Sequence, residues 1–214
     1  MHNNKDDDAI SIVNLFPTPV YIARRDSNLI LRERKEIKKI IREGMTRNYG
    51  NASSTNTYIF NENLKEIKQF CEHHIKVYVE EVIKPKQELD FYITQSWLNK
   101  TEPSEYHHEH SHPNSIISGV FYIETVEDDK ITFFEPNSKI KKLIKFEIEN
   151  YHMWNSTSWM FPVKDSELIL FPSWLNHAVE PNEKATGNRI SISFNTFVKG
   201  TLGNQKGLTE LILN

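Results

Sequence analysis

Apolar and polar positions change their rhythm once along the chain, near Pro85. Before it the spacing is helical. Leu29, Ile30, Ile37, Ile40 and Ile41 recur among Arg, Lys and Glu between Asn28 and Met45, which predicts an amphipathic helix with Ser27 as its N-cap. Leu64, Ile67, Phe70, Cys71, Tyr78 and Val82 form a second apolar stripe of the same period. RNYGNASSTNTY, between the two, is polar and rich in turn formers, and predicts a connecting loop. Ahead of both, SIVNLFPTPVYIARR is β-branched and aromatic but interrupted by Pro17 and Pro19, so it predicts a short strand at a sheet edge, where a missing N–H is tolerated.

After Pro85 the runs FYITQSWLNK, SIISGVFYIET, KITFFEP, LIKFEI, SELILFP and NRISISFNTFV follow one another, divided by Pro, Asn, Gly and Asp. Short strands so spaced predict a sandwich or barrel. No repeat of fixed period interrupts them. The helical first third is therefore expected to buttress the sheet rather than to form a domain of its own.

Composition narrows the partners. At 214 residues one domain is the default, and 12 Phe, 8 Tyr and 4 Trp supply the large side chains that a core requires. The net charge of −3 provides no basic field for nucleic acid. Cys71 is the single cysteine, so no intramolecular disulfide can form; among Ile67, Phe70 and Ile75 it reads as a small core residue. The N-terminal MHNNKDDDAI is polar and acidic where a signal peptide is basic and then apolar, and no run approaches the roughly 18 apolar residues of a membrane span. A soluble, cytoplasmic protein without membrane or nucleic-acid partners is expected.

Candidate chemistry lies in the histidines. Four of the nine fall in YHHEHSHPNS: His107, His108, His110 and His112. Neutral imidazole binds Fe, Zn, Cu or Ni, and rings at i and i+2 of a strand share a face. His108, His110 and His112 have one parity; His107 and Glu109 have the other and would make an H-x-E pair. Both registers are open from sequence, as are a structural zinc site and a solvated surface cluster. A further ligand must come from elsewhere, and His177, after the turn at Pro172 and Ser173, is the candidate.

Twelve residues on, Arg189 heads the alternating strand RISISF. Arg189, Ser191 and Ser193 share one face, and Ile190, Ile192 and Phe194 the other. A guanidinium on a strand must reach solvent or meet a carboxylate, because burying it unpaired is too costly. Its planar fork suits one end of a dicarboxylate, with the Ser191 hydroxyl beside it.

The order H-x-H, distal His, then R-x-S resembles the 2-oxoglutarate/iron(II) oxygenase superfamily. More narrowly, the chain resembles a family of such oxygenases from bacteria and from phages of marine hosts, through LFPTPVY at 15–21, SWLNK at 96–100, HSHPNSIISGVFYI at 110–123, LILFPSWLNHAV at 168–179 and RISISFN at 189–195. The resemblance implies a mainly β fold with N-terminal helices: a double-stranded β-helix (jelly roll) flanked by two α-helices. The organisation it implies is a flexible tail at 1–10 and one domain at 11–214, divided into a helical buttress at 11–86, a β-helix core at 87–200 and a C-terminal extension at 201–214.

It further implies that His110, His112 and His177 hold Fe(II), with His112 standing where the superfamily has Asp or Glu. The alternative is that His112 turns aside and water fills its place. Arg189 would bind the far carboxylate of the co-substrate 2-oxoglutarate, Ser191 would assist, and Tyr122 and Asn99 are further candidate contacts. The implied reaction consumes O2, releases succinate and CO2, and hydroxylates a C–H bond of a small-molecule or peptidyl substrate. Trp97, Phe121 and Trp174 are candidates for excluding water, and residues 46–57 and 136–160 for choosing the substrate. A homodimer and a location in the cytoplasm, or in the host's if the chain is phage-encoded, are compatible with this. Two other classes compete: a cupin-like metalloenzyme using three histidines without 2-oxoglutarate, and a non-catalytic jelly roll that only binds. Arg189 separates the first two readings, and a non-catalytic jelly roll should keep its fold without metal and show no affinity change in His110→Ala.

Overall fold

The computed structural model describes residues 10–136 and 143–214. Apart from Ile10, the tail expected at 1–10 lies outside the described residues, as do positions 137–142 of the expected substrate loop. Strand β1 (Tyr21–Arg24) is followed by helix α1 (Leu31–Glu43), the hairpin β2 (Met45–Arg47) and β3 (Ala52–Ser54), and helices α2 (Ile59–Glu62) and α3 (Lys65–Tyr78). Then come β4 (Asp90–Thr101), β5 (His107–His110), β6 (Ile117–Glu124), β7 (Lys130–Phe134), β8 (Ser158–Pro162), β9 (Glu167–Pro172), β10 (His177–Val179), β11 (Arg189–Leu202) and β12 (Leu211–Leu213). The larger sheet runs β1-β9-β6-β11-β4-β3-β2, with β12 paired to β11; the smaller runs β5-β10-β7-β8. All their pairings are antiparallel, and together they make the expected jelly roll.

Alternation along the central strands sorts the side chains into two cores. Leu98, Phe121, Ile123, Ile190, Ile192 and Phe194 point to one face of the larger sheet, where Ile37, Ile40, Ile67, Cys71 and Ile75 of the helices cover them. The opposite face carries Val120, Tyr122, Ile169 and Phe171, which meet Ile131 and Phe133 of the smaller sheet. Gly119 lies opposite Phe194, and a Cβ there would stand 2.1 Å from that ring. Only glycine allows strand and ring to approach so closely.

Several expectations need correction. Ser27 does not cap α1: the N-cap is Ile30, and the buried Glu33 carboxylate reaches back to accept the Ile30 N–H at 2.8 Å while holding Arg25 at 2.7 Å. RNYGNASSTNTY is not a plain loop, since it forms most of the β2–β3 hairpin, which pairs with β4. The second helical stripe stops before Val82, because Val79–Ile83 is a π-helical turn that shifts the phase and leaves Val82 exposed. LIKFEI forms no strand; Leu143, Ile144 and Phe146 are exposed, so no second face holds them against the sheet. β1 does sit at the sheet edge, although Pro17 and Pro19 lie ahead of it rather than within it.

Candidate metal centre and co-substrate cleft

Strand β10 lies between β5 and β7, with His177 directly opposite both His110 and Phe133. Side chains opposite one another in a sheet share a face, so His110 and His177 stand side by side with ring centroids 4.3 Å apart. His112 lies just beyond β5. Its N–H donates to the Ser173 carbonyl at 2.9 Å, tying it to the turn that delivers His177. Its Nε2 comes within 3.4 Å of His177 Nε2. One ligand atom from each of His110, His112 and His177 lies within 4.8 Å of the other two.

The tautomers are set by the backbone. His110 Nδ1–H donates to the His108 carbonyl at 2.7 Å, and His177 Nδ1–H to the Leu175 carbonyl at 3.1 Å. Both rings therefore present an Nε2 lone pair inward, the arrangement by which outer hydrogen bonds orient metal-bound imidazoles. Burial keeps them neutral: it lowers the pKa of His110, takes His112 down to about 4 and pushes His177 well below its usual value, with neighbouring imidazoles adding to each shift. Two inward lone pairs, with the neutral His112 ring beside them, fit a divalent transition metal.

A bulge changes the register expected for β5. His110 pairs with His177 but Val179 pairs with His107, so three steps along β5 match two along β10. The extra residue turns His107, not His108, onto the inner face, where it stacks on His110 at 4.3 Å. Burial, reinforced by His110, takes the pKa of His107 down to about 3. Glu109 points outward and accepts from Asn176 Nδ2 at 2.8 Å. The H-x-E alternative is thereby separated, and so is the shared parity of His108 with His110 and His112. His107, His108 and His110 form a second close group, with His108 Nδ1 buried and without a hydrogen-bond partner.

Across the interior lies the stripe on β11. Ser191 faces Asn99 of β4 on one side and Tyr122 of β6 on the other, giving a row of three polar side chains. Arg189, one step along on the same face, is 7% exposed, so the stripe faces the interior rather than solvent. Its Nε donates to Asp129 Oδ2 at 3.1 Å, and its Cζ lies 5.2 Å from the Tyr122 ring centroid. Burial drives Tyr122 up to about 12. The Tyr122 hydroxyl, Asn99 Oδ1 and Asn51 Oδ1 are buried without a hydrogen-bond partner. All three residues line one cavity of about 30 Å³, together with the three histidines, Arg189 and Ser191. Polar atoms left unpaired in such a place are those a polar ligand would satisfy.

Asp129 and Asn51 escaped the sequence reading. The loop around Asp129 carries no periodic signal, and Asn51 reaches the cavity only through the hairpin mistaken for a loop. Of the three aromatics, Trp97 lines the cavity, Phe121 belongs to the helix-side core, and Trp174 is exposed. A larger cavity of about 350 Å³ opens on the other side of Arg189, bordered by Asp129, Glu102 and Glu180. No helix among the described residues is long and apolar enough to cross a membrane.

Two antiparallel sheets closed around a histidine group define a double-stranded β-helix fold. The sequence profile of the family described as "Putative 2OG-Fe(II) oxygenase" matches residues 95–195, a span holding every residue of the polar cavity except Asn51. Over that span, just under half of its length, the chain is similar to the 2-oxoglutarate- and iron(II)-dependent oxygenases, enzymes that use Fe(II), 2-oxoglutarate and O2.

Among solved structures, a prolyl-4-hydroxylase from Pseudomonas putida is similar at 12% identity and a TM-score of 0.52, over 83% of this chain and 92% of that one. HygX from Streptomyces hygroscopicus, with nickel, 2-oxoglutarate and hygromycin B bound, is similar at 10% identity and a TM-score of 0.53, over 84% and 82%. The viral collagen prolyl hydroxylase of Paramecium Bursaria Chlorella virus-1, a 2-oxoglutarate complex, is similar at 12% identity and a TM-score of 0.51, over 82% and 94%. At such identities the likeness is one of fold. A search of curated protein sequences finds no match.

Proposed function

We propose that the chain hydroxylates a C–H bond of a small-molecule or peptidyl substrate, with Fe(II) held by His110, His112 and His177 and the far carboxylate of 2-oxoglutarate held by Arg189. One observation carries this reading: three inward imidazoles and a buried guanidinium line the same cavity from opposite sheets. Iron bound by the imidazoles supplies the oxidative decarboxylation of 2-oxoglutarate to succinate and CO2, with O2 as oxidant.

The chain's own residues hold and orient. Arg189 offers its fork to one carboxylate, and Ser191, Tyr122 and Asn99 supply hydroxyl and amide groups along the diacid. Trp97, whose ring centroid lies 5.9 Å from that of His112, narrows the water-accessible space beside the centre. A cavity of about 30 Å³ has room for roughly one water. A five-carbon diacid therefore enters only as lining side chains move aside.

The similar structures support the substrate class, since they include prolyl hydroxylases and a protein with hygromycin B bound. The net charge of −3 favours such substrates over nucleic acid.

Calorimetric titration of nickel-loaded protein with 2-oxoglutarate tests the proposal. Saturable binding that is lost in Arg189→Ala is expected. No binding to the metal-loaded wild type refutes it.

A further inference from the structure

Arg189 does not stand alone in its cleft, and the way it is held implies a role for a residue of no recognised motif. We propose that Asp129 is a positioning residue that aims the Arg189 guanidinium at a bound dicarboxylate, and thereby sets the preference for diacids over monoacids. This rests on the co-substrate reading above.

The geometry begins with what Asp129 touches. It lies one residue before β7 and is 6% exposed. Its backbone N–H donates to the Val126 carbonyl at 3.2 Å, and its carbonyl accepts the Val163 N–H at 3.0 Å. The backbone amides of Val126 and Lys130 lie beside its carboxylate and favour the charged form. A carboxylate so anchored is a fixed point rather than a mobile counter-ion.

It engages Arg189 through Nε alone, and among the described residues this is the only ion pair Arg189 makes. A guanidinium presents its five N–H groups in one plane, so fixing the Nε edge fixes the direction of the Nη1–Nη2 fork. The Tyr122 ring, 5.2 Å from Cζ, limits tilting out of that plane. The fork stays available for a carboxylate in the cavity that Arg189 shares with the three histidines. Asp129 itself does not line that cavity but borders the larger one behind Arg189. It acts through Arg189 and does not touch the ligand.

Charge points the same way. Three neutral imidazoles, a divalent cation, one guanidinium and a doubly negative diacid leave a single positive charge in the interior. Burying uncompensated charge is expensive, and the Asp129 carboxylate brings the sum to zero. A monoacid lacking the far carboxylate gains nothing from this arrangement.

The test compares 2-oxoglutarate with 2-oxobutyrate, which keeps the oxo-acid end but lacks the far carboxylate, by calorimetric titration of nickel-loaded protein. Wild type is expected to prefer the diacid, and Asp129→Ala to reduce that preference at least about tenfold, the scale of one charge-assisted hydrogen bond. Nickel affinity should stay within about twofold, since no proposed ligand changes. An unchanged preference, or equal weakening of both acids, overturns the inference; the latter is what a purely structural role would give. If the alanine variant does not fold, Asp129→Asn is read instead. Its amide oxygen accepts the Nε–H without charge; a fall of at least about threefold supports the proposal and an unchanged ratio overturns it. A wild type that binds neither acid, or binds both equally, removes the co-substrate reading and this inference together. A wild type that prefers the diacid while the variants match it removes this inference alone.

Discussion

The Nε2 atoms of His112 and His177 stand 3.4 Å apart although 65 residues separate them in the chain. His177 already spends its Nδ1 hydrogen on the Leu175 carbonyl, so its Nε2 brings only a lone pair. Without a metal, His112 Nε2–H donates to that lone pair; a shared cation would take the place of this hydrogen. His177→Ala and His112→Ala are expected to weaken Fe(II) or Ni(II) binding by about 100-fold or more, read by competition with a chromophoric chelator; second-shell losses alone reach about 10–100-fold. Metal affinity within about threefold of wild type in either variant would remove that residue from the ligand set.

Glu109 supplies the contrasting case. Its carboxylate faces outward onto Asn176, so Glu109→Gln should leave metal affinity within about twofold, an effect on the scale of a surface substitution. A loss as large as that of His177→Ala would restore the H-x-E register.

Removing the guanidinium tests stability as well as binding. Asp129 and Arg189 have side-chain exposures of 4% and 8%, so Arg189→Ala leaves a carboxylate buried without its partner. A loss of about 3–5 kcal/mol is expected in urea unfolding of the metal-free protein, as for other broken buried pairs. The double variant Arg189→Ala/Asp129→Ala should recover part of it, because no stranded charge remains.

The buried imidazoles make the metal-free fold sensitive to acid. His107 and His112, at about 3 and about 4, stay neutral where the unfolded chain, near 6.5, takes up protons. Between pH 6.5 and 4 the unfolded state therefore binds more protons. The stability they contribute is complete above about 6.5 and falls as the pH drops, by up to about 1.4 kcal/mol per unit for each ring. Thermal melts across this range should show the slope, and His107→Asn should flatten it; an identical slope in that variant would contradict the assignment.

Gly119→Ala probes the fold away from the chemistry. The added methyl group meets the Phe194 ring at 2.1 Å, so the strand or the ring must shift. Overpacking of this kind costs about 1–3 kcal/mol. Pairing the change with Phe194→Leu should return part of the loss in a thermal melt.

Much of this was legible in the chain because two periods carry it. Alternation put Arg189, Ser191 and Ser193 on one face and Ile190, Ile192 and Phe194 on the other, and the structure separates them in that way. Helical spacing found α1 and α3. Features that depend on a broken period or on a distant neighbour were not legible. The π-helical turn hid where the second stripe ends. The β2–β3 hairpin has no apolar alternation because its residues serve an edge rather than a core. Asp129 matters only through a partner 60 residues away, which local sequence does not encode.

The irregularity in β5 makes this short strand tolerant of its spelling and of the loss of one residue. Replacing His108 or Glu109 keeps the count of residues between His107 and His110, and with it the inward aim of both rings. Deleting either one removes the bulge: two steps along β5 then match two along β10, and plain alternation keeps His107 and His110 on the same inner face. Relatives that lack one residue here should therefore keep the His107 ring in the cleft beside the same imidazole trio.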